Sequence, residues 1–269
     1  MGSFSVVNNI GSVNAGAKLY ETNVGLQRTL GRLSSGLRIN QSADDAAGLT
    51  VANKYRSDIA ILNVGVRNAS DGISRLQIVD GALNNISNLL DRAATLATQS
   101  ASEGNPGLNR TVLNDEFAKV LSEIDREAAV ANLTGTTSFS IYISNETTTA
   151  NGAVGVSFGP ADSTALALSS NTISTTTAAQ TAITAISNAI SSLGTVQGAV
   201  GSAQNRLQFA ISLAQAQIVN KTAAESRLRD ANIAEESANL TRYNILTQSG
   251  LASLAQANQT TASVLTLLR

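Results

Sequence analysis

Apolar residues at coiled-coil spacing run inward from both ends of the chain and stop at a polar, Ser/Thr-rich middle. From the N-terminus, Val6, Ile10, Val13, Ala17, Tyr20 and Val24 fall at alternating steps of four and three. On a helix this is one narrow seam made to face a partner helix. The pattern then shifts face, with Leu19, Leu26 and Leu33 seven apart and Leu30 and Leu37 likewise. One helix thus offers two stripes, more than a single intramolecular neighbour would cover. Beyond residue 58, Leu62, Ala69, Leu76, Leu83, Leu90 and Ala97 repeat at sevenfold spacing, accompanied by Ile59, Val66 and Ile73, and predict a long coiled-coil helix. Ile186, Leu193, Val200, Leu207 and Ala214 repeat the device, with Ile183, Ile190, Ile211 and Ile218 beside them and Gln197 and Gln204 interrupting the second row. At the other end Leu240, Tyr243, Leu254, Ala257, Thr261, Val264, Leu265 and Leu268 gather on one side of a helical wheel.

Breaks in the pattern divide the chain. A helical arm is predicted over residues 3–33 and ends at Gly36, the residue type a left-handed C-cap prefers. A connector follows, in which Asp44 and Asp45 sit where acidic groups complement a helix N-terminus. The next helix is expected from Ala46 to Ser100, with Gly48, Gly65, Gly72 and Gly81 as weak points costing roughly 1 kcal/mol each against Ala. After the break at Glu103–Gly107, Leu113, Phe117, Val120 and Ile124, widened by Leu121 and Ala128, stripe a shorter helix over Asn109–Val130. Ser138–Ser144 and Ala153–Gly159 alternate polar and apolar and predict a hairpin. Nineteen of the 44 residues in 134–177 are Ser or Thr, so this segment is expected to be a surface element with little core of its own. Gly152, Gly155 and Gly159 fit bends and turns better than a phosphate loop, since no Gly-Lys-Ser/Thr follows. Helices over 178–224 and 233–268 complete the chain around a second polar connector at Arg227–Asp230. The fold class is mainly α: long coiled-coil helices from both termini packed side by side, with a small β-hairpin at the distal end.

Composition narrows the chemistry. The chain has no His, no Cys and no Trp, 14% charged residues, a net charge of -1 and two prolines, Pro106 and Pro160. Without His or Cys the commonest general base, the thiol nucleophiles, the usual zinc ligands and disulfides are all missing. No cofactor or metal is expected. No Lys/Arg stripe suits nucleic acid, and no apolar run approaches the roughly 20 residues of a membrane span. The first nine residues lack a basic leader and an apolar core, which by itself predicts no Sec-type export and a cytoplasmic location.

Arg32–Asn40 with Asp44–Gly48 resembles bacterial flagellin, as do Asn68–Ser74, Ala203–Arg206, Leu254–Gln259 and Val264–Arg269. The similarity covers about the first 130 and last 90 residues, with the motifs in the same order at both ends. It implies an extracellular subunit of a helical filament, a homopolymer of many copies, exported unfolded through the flagellum's own channel. The implied partners are the flagellar export apparatus, a secretion chaperone, and the filament cap and hook-junction proteins. Residues 1–46 and 225–269 would form arms and connectors of an inner tube, residues 47–133 and 178–224 an outer tube, and 134–177 the surface. The short middle implies a subunit without large variable domains. The inner-tube polymerisation seam would comprise Val6, Ile10, Val13, Leu19, Leu26, Leu30, Leu33, Leu240, Leu254, Leu265 and Leu268. The connectors would use Arg32, Gly36, Arg38, Asn40, Asp44, Asp45 and Arg227.

Energetics lead to the same mechanism by a separate route. Each seam residue is worth roughly 1.5 to 3 kcal/mol when fully buried, against on the order of 1 to 2 kcal/mol per residue for ordering the backbone. The two arms alone could at best pair with each other, leaving one stripe exposed. The row Leu19, Leu26, Leu33 is expected to be covered only between subunits. For Asp44 and Asp45 the readings are helix capping or an ion pair with Arg227 and Arg229. Arg92, Leu96 and Gln99 match the segment of some flagellins that animal Toll-like receptors recognise, with Ala94 where a second basic residue would stand; otherwise Leu96 is core and Arg92 solvated. Alternatives are a hook-filament junction protein, a secreted coiled-coil effector, or a hydrolase using Glu123 and Asp125, two helix neighbours that point apart and read more simply as surface charges.

Overall fold

The computed structural model describes residues 9–104, 107–144 and 152–267, with side chains up to residue 260 apart from that of residue 108. Five helices, α1 (Ile10–Ser35), α2 (Ala46–Ala101), α3 (Gly107–Val130), α4 (Thr176–Arg229) and α5 (Ile233–Leu267), and a hairpin of β1 (Thr137–Tyr142) with β2 (Ala153–Phe158) make up the described fold. It is mainly helical with a small two-stranded antiparallel sheet, as the periodicity predicts. Contacts divide the chain into two compact units, one of residues 1–57 and 220–269 and one of residues 58–219, the division falling inside α2 and α4.

The hydrophobic core lies in the second unit. All six members of the row from Leu62 to Ala97 are buried, and so are Ile186, Leu193, Val200, Leu207 and Ala214. The companion rows differ from expectation. Val66 and Ile73 are only half-buried, whereas Val79, Ile86, Ala93 and Ser100 are buried at sevenfold spacing. On α4 the second row is Ala182, Ala189, Val196 and Ala203, while Ile190 is exposed. Small side chains let the helices approach closely, which a reading that rewards large apolar residues overlooks.

The middle segment is also more than a surface element. Ile141, Ile143, Val156, Phe158, Ala161, Leu166, Leu168 and Ile173 join the core. Polar anchors hold the connection in place. Asp125 accepts hydrogen bonds from the backbone N–H (2.8 Å) and hydroxyl (2.9 Å) of Ser163, so this exposed carboxylate also anchors the loop. Asn114 accepts from the N–H of Ile173 at 2.9 Å, and Arg206 donates to the carbonyl of Gly155 at 3.1 Å. Phe139 meets Phe158 edge-on at 6.4 Å and lies beneath Arg75 at 4.6 Å.

Candidate assembly surfaces of the terminal arms

In the first unit α1 and α5 run antiparallel side by side. Asn9 caps α1 by accepting from the N–H of Ser12 at 3.0 Å, and its amide donates to the carbonyl of Ala257 at 2.9 Å. Further along, Gly16 faces Leu254, Leu19 lies on Gly250 and Gly25 lies under the Tyr243 ring. At the far end Arg32 pairs with the buried Glu236 at 3.2 Å. Each step along α1 is matched by a step back along α5. A Cβ on Gly25 would lie 2.6 Å from Cζ of Tyr243, so the ring occupies the space a side chain would need.

This register decides which stripe is used inside the subunit. Leu19, Leu26 and Leu33 are half-buried on the face turned to α5. The expectation that this row is covered only between subunits is therefore corrected. Heptad spacing reports that a partner exists, not whether it belongs to the same chain. Leu240 and Leu254 likewise turn inward and are half-buried. The other stripe stays open: Ile10, Val13, Tyr20 and Val24 are exposed, Val13 at 71% and Tyr20 at 72%, and Leu30 is exposed as well, at the edge of the second stripe. Exposed Ile233, Ile245, Leu246 and Leu251 extend the uncovered apolar surface along α5, and sequence periodicity alone did not single them out. Val6 and Leu268 lie outside the described residues, and of Leu265 only the backbone is described.

The connectors are zipped together by backbone. Gly36 adopts φ 71°, and its N–H closes α1 on the carbonyl of Arg32 at 2.8 Å. Its own carbonyl accepts from Ala231 at 2.9 Å, the N–H of Arg38 donates to the carbonyl of Arg229 at 2.6 Å, and Leu37 bridges to Asp230. The Arg38 guanidinium reaches the carbonyl of Leu228 at 3.0 Å, and Asn40 reaches back to Gly31 and Ser35. Asp45 caps α2 through the N–H of Gly48 at 2.9 Å. Asp44 accepts from the N–H groups of Asn40 and Gln41 and faces Arg28 at 3.9 Å. Its cation is thus Arg28 of the same arm and not Arg227 or Arg229, because the turn at Asn40–Asp44 folds back on α1. Arg229 pairs with Glu225 at 3.8 Å, and Arg227 is exposed.

In the second unit the receptor-like motif is split. Leu96 is core, 1% exposed, and cannot face a partner. Arg92 and Gln99 are exposed, with Arg92 held by Glu116 of α3 at 2.5 Å. Glu123 also pairs with a cation: the Arg126 guanidinium holds its carboxyl below the usual range. Both groups of that pair are at the surface, where such pairs contribute little to stability.

Comparison with known proteins identifies the family. Residues 6–141 match the bacterial flagellin N-terminal helical region, and residues 175–268 the bacterial flagellin C-terminal helical region. The flagellin of Halalkalibacterium halodurans is 38% identical over 90% of this chain and 92% of its own. The flagellar filament 33 kDa core protein of Treponema phagedenis is 35% identical over 97% of this chain and 98% of its own. The flagellin of Bacillus subtilis is 33% identical over 97% and 98%. The terminal arms pair with each other, no large domain stands in the middle of the chain, and the protein belongs to the bacterial flagellin family, as a short structural subunit of the flagellar filament.

Proposed function

We propose that the α1–α5 pair is the polymerising part of the subunit and that its open stripe is buried against neighbouring copies to form the inner tube of the filament. The observation that supports this most directly is the row Ile10, Val13, Tyr20 and Val24, which keeps coiled-coil spacing yet stays exposed although the opposite face of α1 is covered. A pair so incompletely covered gains its remaining burial only in an array, which makes assembly cooperative. The second unit then supplies the outer tube, and the zipped connectors tie the ends of the two arms to each other.

The rest of the assignment follows from membership of the family. The chain is passed unfolded through the flagellar export apparatus with the help of a secretion chaperone. It is added beneath a filament cap on a base of hook-junction proteins, and it resides outside the cell. Arms whose helices are completed only by neighbours suit such a route, since they resist premature packing. The first test is electron microscopy of the purified chain after salting-out. Long filaments from this protein alone are expected; short or irregular aggregates would rule out the self-assembling reading and favour a junction protein or an effector.

A further inference from the structure

The second unit carries two apolar surface features that its core does not use. One is a shallow groove between α2 and the end of the hairpin, lined chiefly by Ala60, Ile61, Val64, Asn68, Tyr142 and Ser144, with no charged side chain among its walls. Its shape is fixed by the close seat of the hairpin: a Cβ on Gly65 would lie 2.0 Å from the carbonyl oxygen of Ile143, and Asn68 donates to the carbonyl of Tyr142 at 3.2 Å. The other feature is on α4, where Phe209 and Leu213 project one turn apart, 76% and 61% exposed, although Leu207, Ile211 and Ala214 between and beside them are buried. Together the two side chains present a contiguous apolar surface that a partner can cover. Phe209 is too exposed to be filling its own subunit's groove.

We propose that Phe209 and Leu213 of one subunit insert into the α2–hairpin groove of a neighbouring copy. The inference rests on the filament reading, because the partner present beside every subunit of a filament is another copy of the same chain. Three observations favour this pairing. Residues four apart on a helix project to the same side and form a compact knob. The groove offers apolar walls, and its carboxamide at Asn68 already has an acceptor, so filling it strands no charge. Knob and groove are unlike surfaces, and unlike surfaces joined head to tail repeat without closing into a dimer, as an open filament requires.

The test uses the full chain and two surface variants, Val64→Glu in the groove and Phe209→Lys on the knob. Both positions are exposed, so thermal unfolding of each monomer should match the parent; Leu213→Lys replaces Phe209→Lys if that variant melts early. Each variant alone should need roughly tenfold or more protein to sustain filaments, measured by sedimentation, as expected for losing one buried aromatic or aliphatic contact. An equimolar mixture of the two should recover toward the parental concentration. In the mixture every groove made acidic by Val64→Glu can receive a knob made basic by Phe209→Lys, and every unaltered groove an unaltered Phe. Parental assembly by either variant alone would overturn the pairing while leaving the filament reading intact. Loss of assembly by both without recovery in the mixture would also overturn it, since the two surfaces would then matter without meeting. If the parent itself formed no filaments, the pairing would fall together with the reading beneath it.

Discussion

At the scale of single residues, glycine is where local and tertiary reasoning part. Local propensity makes Gly65 and Gly72 liabilities in α2, each replaceable by Ala with a gain of roughly 1 kcal/mol. The fold reverses the sign, because a Cβ would sit 2.0 Å from the carbonyl oxygen of Ile143 at Gly65 and 2.1 Å from Cδ1 of Ile141 at Gly72. At Gly65 the obstacle is backbone, which cannot swing away as a side-chain end can. Gly65→Ala should therefore destabilise the second unit by about 1 to 3 kcal/mol, the usual cost of overpacking, and lower its melting temperature by several degrees. Calorimetry or circular dichroism would check this, and a melting point unchanged or raised would mean that the hairpin does not sit on α2. Asp125 shows the same limit on reading sequence. Its partner Ser163 is 38 residues away, so nothing local tells this anchoring carboxylate from its neighbour Glu123, which pairs with Arg126.

At the scale of elements, the arm α1 has two apolar stripes with different fates. Leu26 lies on the covered side with Leu19 and Leu33, and Val13 and Val24 lie on the open side. Leu26→Asp should loosen the α1–α5 pair in the isolated monomer, seen as faster amide exchange along both helices and lower helicity, and should impair filaments as a consequence. Val13→Asp with Val24→Asp should leave the monomer's exchange pattern unchanged and still abolish filaments. Equal effects of the two changes on the monomer would mean that the stripes are not partitioned as the register indicates. Both stripes were legible in the sequence, as were the five helices and the hairpin, although α4 runs five residues past its expected end and residues 3–8 of the first helical arm lie outside the described residues. Their partition was not, because a sevenfold repeat specifies the width of a seam and leaves the identity of its partner open.

At the scale of the whole molecule, burial is uneven. The second unit holds the large buried cluster, whereas in the arms the half-buried row Leu19, Leu26 and Leu33 is flanked by small and polar residues, among them Ala15, Thr22, Gly25 and Thr29. Removing residues 1–30 or 240–269 should thus leave a soluble, helical fragment that melts cooperatively and no longer polymerises, measured by circular dichroism and sedimentation. Normal filaments from either truncation would sink the assignment of polymerisation to the arms. By itself the sequence determined the class of the molecule, the place of each helix, the capping at Gly36 and Asp45 and the family, because these follow from periodicity, local backbone preference and short motifs. Only the tertiary structure decided which α1 stripe α5 covers, that Arg28 rather than Arg227 meets Asp44, that Leu96 is sealed in the core, and that the Ser/Thr-rich middle contributes buried side chains. Those outcomes depend on which surfaces are left over once the long helices have paired, and that remainder is a property of packing between distant segments, to which no local pattern responds.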